Sequence, residues 1–337
     1  MYKEFFKLDR KPFQLSPDPR FFFGSSIHKR ALAYLRYGLS QAEGFIAITG
    51  EVGTGKTTLV RTLFRELPEN EVVAAQIVTT QLQADDLLRM VAQAFGLEVS
   101  GDSKSTLLAR LEKFLMNRAR EGKRVLLVVD EAQNLPPHAL EELRMLSNFQ
   151  VGDKPLLQSF LLGQAQFRRT LQHDDLEQLR QRFIAACHLT PLSEQETRDY
   201  IEYRLTTAGW KNDPAFSDES FSEIHRYTQG IPRRINNLAD RLLLFTFLEE
   251  RHDVDADTVR TVARELEDEL TPMEDDSGPI GIPEASTDYA MPAMYSWGNL
   301  ELRVAALESR VQALEKSMHR GFSRVKRVLQ QHNGVED

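Results

Sequence analysis

The sequence predicts an α/β protein: a parallel sheet sandwiched by helices, then a small all-helical module and a C-terminal coiled-coil helix. Three observations predict it. A glycine-rich motif, Gly50-Glu51-Val52-Gly53-Thr54-Gly55-Lys56-Thr57, sits between a short apolar run and an amphipathic stretch. Five apolar runs alternate with helical periodicity over residues 27–190, the pattern of a parallel sheet. After Pro191 the apolar runs stop and only helical spacing remains.

The first run, 45–49, is long enough for one buried strand, and residues 58–64 carry Leu59, Val60 and Leu63 at helical spacing before Pro68. Strand, glycine turn and helix are what phosphate binding requires. Glycines let backbone N–H groups converge on phosphate oxygens, and the helix N-terminus adds partial positive charge. Gly50, Glu51, Val52, Gly53, Thr54, Gly55, Lys56, Thr57 and the following Thr58 therefore form a candidate loop for ATP. Lys56 is placed for the β- and γ-phosphates and the Thr57 hydroxyl for Mg²⁺. The remaining strands are expected at 72–78, 125–130, 156–162 and 183–189, with helices at 84–95, 105–120 and 137–149. Pro136 and Pro137 open the last of these, where a missing N–H costs nothing. The third strand ends in Asp130 and Glu131, which strand alternation points in different directions from one backbone site. Asp130 suits the Mg²⁺ shell, and Glu131 can polarise an attacking water.

Beyond Pro191, Ser193-Glu194-Gln195-Glu196 is a capping box opening a helix that runs to about residue 208. A second helix carries Phe221, Ile224 and Tyr227 on one face and halts at Gly230; helices over 232–250 and 256–270 follow. Residues 271–296 shift to Pro, Gly, Ser, Asp and Met without a period, the composition of a flexible linker. Trp297, Leu300, Val304, Leu307, Val311, Leu314 and Met318 then alternate three- and four-residue spacings, and Val325 and Val328 continue past Gly321. These heptads predict a coiled coil over 297–332, either paired in trans or lying as an amphipathic helix on the protein's own surface. The expected organisation is an N-terminal arm (1–29), a nucleotide-binding domain (30–190), a helical lid (191–270), the linker and the coil.

The 337 residues suffice for two or three modules, and 41% hydrophobic with 27% charged residues is ordinary for a soluble globular chain. One cysteine, Cys187, excludes a disulfide framework and reads as a small buried hydrophobe. Met1 to Arg10 lacks the apolar core of a signal peptide, and no run approaches the ~20 apolar residues of a membrane helix. A cytoplasmic protein is expected, without direct membrane insertion and reaching the inner membrane only through a partner. A net charge of −8 argues against nucleic acid as the main partner.

Three further positions bear on a switch that works between subunits. Gln164, after the fourth strand, places an amide near the γ-phosphate or else faces solvent. Arg180 and Arg182 precede the fifth strand, where an arginine can reach a neighbour's ATP, or both are ordinary surface residues. Arg233, in Gly230-Ile231-Pro232-Arg233, sits in the first turn of the third lid helix, from which it can contact the γ-phosphate.

Taken together, these motifs resemble the AAA+ ATPases over roughly residues 1–268. The run Phe5-Phe6-Lys7-Leu8 through Lys11-Pro12-Phe13, then Ser16-Pro17-Asp18-Pro19-Arg20-Phe21-Phe22-Phe23, His28-Lys29-Arg30-Ala31-Leu32, Tyr37-Gly38-Leu39 and Asp130-Glu131-Ala132-Gln133 narrow it. They look like the general-secretion ExeA-type ATPases, most of all the secretion ATPases found with exosortase/PEP-CTERM and exopolysaccharide gene clusters. The resemblance implies Walker A at Gly50, Gly53, Gly55, Lys56 and Thr57, Walker B at Asp130 and Glu131, sensor 1 at Gln164, sensor 2 at Arg233, and Arg182 or Arg180 as the finger. It implies a homo-oligomer formed through the AAA+ domain. It also brings the N-terminal segment, with Phe13 and Pro19, near the adenine, unless the arm simply docks on the core. ExeA-type proteins proper continue into a membrane helix and a peptidoglycan-binding domain; the linker and heptads found instead do not imply direct cell-wall binding.

The function expected is therefore an ATP-hydrolysing switch or motor for envelope export, recruited to an export component through the coiled coil. The alternative is a nucleic-acid-associated AAA+ protein akin to origin-recognition or transposition-helper ATPases, against which the acidic tail after Asp253 argues. A superfamily 2 helicase is excluded because no second RecA-like domain fits after Pro191, and no acceptor pocket for a small-molecule kinase is recognisable.

Overall fold

The computed structural model describes residues 1–270 apart from 17, 42–43, 69, 80–83, 100 and 102. The expected linker and coiled coil lie outside the described residues. The chain begins with one helical turn, α1 (Tyr2–Phe5), and a 3-10 turn (Pro19–Phe21), followed by α2 (Ser26–Gln41). An alternating stretch comes next: β1 (Phe45–Gly50), α3 (Lys56–Glu66), β2 (Val72–Val78), α4 (Ala84–Ala94), α5 (Lys104–Arg120), β3 (Arg124–Asp130) and α6 (Pro137–Leu146). A hairpin of β4 (Gln150–Val151) and β5 (Lys154–Pro155) leads to β6 (Leu157–Gly163), the short α7 (Phe167–Thr170) and α8 (Glu177–Arg180), and β7 (Phe183–Leu189). The lid holds α9 (Glu194–Thr207), α10 (Asp218–Thr228), α11 (Pro232–Leu248) and α12 (Ala256–Leu270), with a two-residue bridge between β8 (Ala215–Phe216) and β9 (Asp253–Val254).

The main sheet runs β2-β3-β6-β1-β7 with every pair parallel. β1 is therefore flanked by β6 and β7, with Thr49 opposite both Gly163 and His188. Strand alternation divides its side chains between two cores. Ile46, Ile48, Leu126, Val128, Phe160 and Leu162 pack with α2 and α3. Phe45, Leu127, Val129, Leu157 and Leu161 pack with α4, α5 and α6 on the other face. Because every pair is parallel, all five carboxyl ends lie on one edge, the edge at which open α/β sheets bind ligands.

A third core belongs to the lid. Ile235, Leu238, Ala239, Leu242 and Leu243 form a buried stripe along α11 at three- and four-residue spacing. The N-terminal arm completes this core by burying Tyr2, Phe6, Leu8 and Phe13 against it. Hydrogen bonds fix the arm, among them those from the Tyr2 hydroxyl to Asp240 (2.6 Å) and from the Asp9 amide to the Ala208 carbonyl (2.8 Å). Residues 1–13 thus pack as part of the lid before the chain crosses to the sheet. Cys187 is buried on β7, as a small hydrophobe would be.

Candidate functional site

At the end of β1 the chain turns through Gly53 (φ +89°) and Gly55 (φ +96°), conformations that side chains disfavour. Gly55 caps α3, so the helix N-terminus faces the loop it ends. Lys56 is only 6% exposed, and burial lowers its pKa, partly offset by the nearby charges of Glu131 and Asp130. Its Nζ donates to the carbonyls of Gly50 (2.8 Å) and Glu51 (2.9 Å). Neutral carbonyls are a modest match for a desolvated ammonium, so the loop is a cradle suited to a multiply charged anion.

At the end of β3, Asp130 is 4% exposed and its Oδ2 accepts from the Thr57 hydroxyl (2.9 Å) and from Gln76 on β2 (3.3 Å). A hydroxyl paired with a carboxylate is an oxygen donor set for a hard cation. Among the described residues no group of three or more His, Cys, Asp and Glu side chains can hold a metal alone. A Mg²⁺ ion held there would take one or two protein oxygens and complete its shell with phosphate and water. Glu131 follows with φ +55°, an uncommon backbone for a residue bearing a side chain. Its Oε2 accepts from Gln133 Nε2 (2.6 Å) and Gln164 Nε2 (3.3 Å).

The cleft over the loop, about 340 Å³, is walled by three separate parts of the chain. Residues 52–58 and Glu131 form the floor, Arg233, Asn236, Tyr200 and Arg204 come from the lid, and the arm supplies Gln14, Asp18 and Phe21 to Phe23. The lid touches the loop directly: the Arg233 amide donates to the Gly53 carbonyl (3.2 Å). His28 lines the cleft and supports the loop, with Nε2 2.9 Å from the Thr54 carbonyl and Nδ1 2.6 Å from the Ser25 hydroxyl. A carbonyl only accepts, so Nε2 carries the proton and Nδ1 accepts from Ser25. Burial lowers the His28 pKa, in keeping with a neutral ring. Glu196 completes the α9 capping box and also accepts from the Ser26 amide at the start of α2 (3.0 Å). Burial pushes its carboxyl up, but the Ser26 and Ser193 amides outweigh that and hold it below the usual range.

The fold thus gathers Val52 to Thr58, Glu131 and Arg233 around one cleft, with Gly50 and Glu51 beneath it, Asp130 on Thr57 and Gln164 on Glu131. Arg182 and Arg180 are elsewhere. Arg182 donates to Ser147 (2.6 Å) and Asn148 beyond α6, and Arg180 to the Gln172 carbonyl (3.1 Å). Phe13 and Pro19, expected near the adenine, do not line the cleft. Phe13 is instead 1% exposed in the lid core, and the neighbouring Phe21, Phe22 and Phe23 face the cleft.

Sequence reasoning gave no role to His28, Gln133 or Arg204. Arg204 is 6% exposed; it donates to the Pro12 carbonyl (2.6 Å) and the Tyr200 hydroxyl (2.8 Å), and its guanidinium lies over Phe21 at 4.9 Å. The local signals were weak: one histidine in an amphipathic helix, one glutamine in a loop, one arginine in a polar helix.

Among the described residues no helix is long and apolar enough to cross a membrane. A family model described as an AAA domain matches residues 39–171. General secretion pathway protein A of Aeromonas hydrophila is 41% identical over 255 residues, which cover 75% of this chain and 46% of that protein. The chain therefore spans about half the length of that curated relative. An ORC1-type DNA replication protein of Thermoplasma acidophilum is 34% identical over 91 residues, 27% of this chain and 25% of its own. Of solved structures, the Aeropyrum pernix ORC2 protein, in ADPNP–ADP complexes, matches with a TM-score of 0.60 at 18% identity, covering 76% of this chain and 72% of that one. That last likeness is one of fold alone. The chain has the parallel α/β fold of the AAA+ P-loop NTPases, with the AAA-domain match over residues 39–171 and similarity to general secretion pathway protein A over 75% of its length.

Proposed function

We propose that this chain binds Mg·ATP in the cleft between loop and lid, hydrolyses it, and uses that cycle to serve envelope export. The observation that carries the reading is the convergence of the buried Lys56, the Thr57–Asp130 pair and Glu131 on one cleft. Lys56 exchanges its carbonyl partners for the β- and γ-phosphates, to which the loop amides also donate. Thr57 and Asp130 would hold Mg²⁺, which would supply positive charge to neutralise the phosphates. Glu131 takes a proton from the water whose oxygen bonds to the γ-phosphorus, while the bond to the β–γ bridging oxygen breaks and its electron pair leaves with ADP. Arg233 and Gln164 contact the γ-phosphate end in this reading, and Arg182 acts in a neighbouring subunit of a homo-oligomer.

The test separates binding from chemistry. Lys56→Ala is expected to weaken ATP binding tenfold or more, by loss of a charge-assisted contact worth about 1.4 kcal/mol or above. Glu131→Gln is expected to bind ATP normally and hydrolyse it at least ~10²-fold more slowly, the scale of general-base loss. A Glu131→Gln chain with the parental rate refutes the assignment.

The export role is supported by the relative's name, general secretion pathway protein A. The finer assignment to an exosortase or exopolysaccharide locus rests on the sequence resemblance. The heptads of 297–332 are proposed to recruit an envelope export component carrying a matching helix. Capture of such a component by this segment should be abolished by Leu307→Asp with Leu314→Asp, because two charges cannot be buried unpaired in the seam; capture that survives the pair refutes it. The second reading, a nucleic-acid-associated AAA+ protein, is favoured by the ORC1-type relative. Retention on DNA that falls steeply with salt would decide for it.

A further inference from the structure

Gln133 belongs to none of the motif positions that the phosphate chemistry requires, yet it has the closest side-chain contact of any described residue to the Glu131 carboxylate. Its Nε2 donates to Glu131 Oε2 at 2.6 Å, and its Oε1 accepts from the backbone amide of Gln164 at 2.9 Å. The Gln164 side chain returns to the same Glu131 oxygen at 3.3 Å. One closed ring of hydrogen bonds thus joins the ends of β3 and β6. Both amides converge on Oε2, and among the described residues no amide donates to Oε1. The carboxylate is therefore oriented through one oxygen, and the other remains available as a proton acceptor.

We propose that Gln133 is a positioning residue for hydrolysis. It anchors Gln164, the residue after β6, to the Glu131 carboxylate, so that Oε1, rather than Oε2, is aimed at the attacking water. Three observations carry this. Glu131 stands on a left-handed backbone (φ +55°), a conformation that persists only where the surrounding structure holds it, so the support around it is built in. Gln133 lies in a short 3-10 turn (Ala132–Asn134) that the Thr79 carbonyl fixes through the Asn134 side chain at 2.9 Å, so its position is set independently of the cleft. Finally, Gln133 does not line the cleft, so it acts through Glu131 and not on nucleotide. The proposal rests on the hydrolytic reading of Glu131 given above.

The test compares the full chain with Gln133→Met, which keeps the length and removes the amide, Gln133→Ala, Glu131→Gln, and Gln133→Met combined with Glu131→Gln. Steady-state and single-turnover hydrolysis give kcat and KM, equilibrium titration with a fluorescent ATP analogue gives Kd, and thermal melts give Tm. A misaimed base predicts kcat lower by ~10- to 100-fold, the scale of an ångström's displacement at a reacting group, with Kd and Tm near parental. In the Glu131→Gln background, where no carboxylate remains to aim, Gln133→Met should cause no further loss. Parental kcat in both Gln133 variants overturns the proposal. So does an equal fold-loss in both backgrounds, or a fall in kcat matched by falls in Kd-derived affinity and Tm, which would mark a structural role. A Glu131→Gln chain at the parental rate overturns the underlying hydrolytic reading instead.

Discussion

The middle glycine of the phosphate loop offers the sharpest stability test. Gly53 is held at φ +89°, and a Cβ built on it would lie 2.6 Å from the Cβ of Arg233 and 3.2 Å from Cγ2 of Ile231. Gly53→Ala therefore imposes two penalties, a left-handed backbone at about 1–2 kcal/mol and an overpacked contact at about 1–3 kcal/mol. Their sum, about 2–5 kcal/mol, corresponds to a Tm loss on the order of 10 °C for a domain of this size. The chain can relieve the clash by moving the lid away, which breaks the Arg233–Gly53 hydrogen bond and should lower ATP affinity at least about tenfold, or ~1.4 kcal/mol. Gly96→Ala is the control: φ is +76° there, but nothing lies within 4 Å of the added carbon. It should lose only the backbone part, about 1–2 kcal/mol, and leave ATP affinity unchanged. Thermal melts and titration with an ATP analogue read both quantities. If Gly53→Ala melts with Gly96→Ala and binds like the parent, the lid does not rest on the loop as described.

Two further outcomes follow from the same geometry. His28 has its pKa lowered by burial, so between its ordinary value near 6.5 and its lower folded value the unfolded chain binds more protons than the folded one. Stability should therefore fall as pH drops below about 6.5. His28→Gln keeps a donor for the Thr54 carbonyl and should flatten that acid slope in urea melts at pH 5.5 and 7.5; an unchanged slope refutes it. Arg182→Ala should leave ATP affinity intact while lowering turnover by about 10³-fold if Arg182 serves a neighbour's site, with parental turnover per subunit rising with protein concentration. Full activity at a concentration-independent rate would instead leave Arg182 as the tie to Ser147 and Asn148.

All five strands of the main sheet and four lid helices were legible in the sequence, because apolar runs and three- to four-residue stripes are local signals. The capping box at Ser193–Glu196 was legible for the same reason. Strand order was not, since nothing in β1 records that β6 and β7 flank it. The β4–β5 hairpin and the β8–β9 bridge are two-residue pairings, too short to carry a period. At the site, the phosphate loop and the two carboxylates at the end of β3 were read from spacing. The support given by His28 and Gln133 was missed because it depends on groups meeting across 26 and 31 residues of chain. For Phe13 the sequence left two places open, beside the adenine or docked on the core, and the burial in the lid core that decides between them depends on distant residues from Leu192 onward.

Glu196 has the widest mechanical consequence. One carboxylate closes the first turn of α9 and also accepts the Ser26 amide that opens α2, the helix whose His28 supports the loop. Swinging the lid outward would force that side chain to abandon one of the two helix starts. A lost helix cap is worth about 0.5–2 kcal/mol, so the opened arrangement would be roughly 2- to 30-fold rarer than without the shared carboxylate. Lid posture and the firmness of the phosphate loop are thereby geared together through a residue that does not line the cleft.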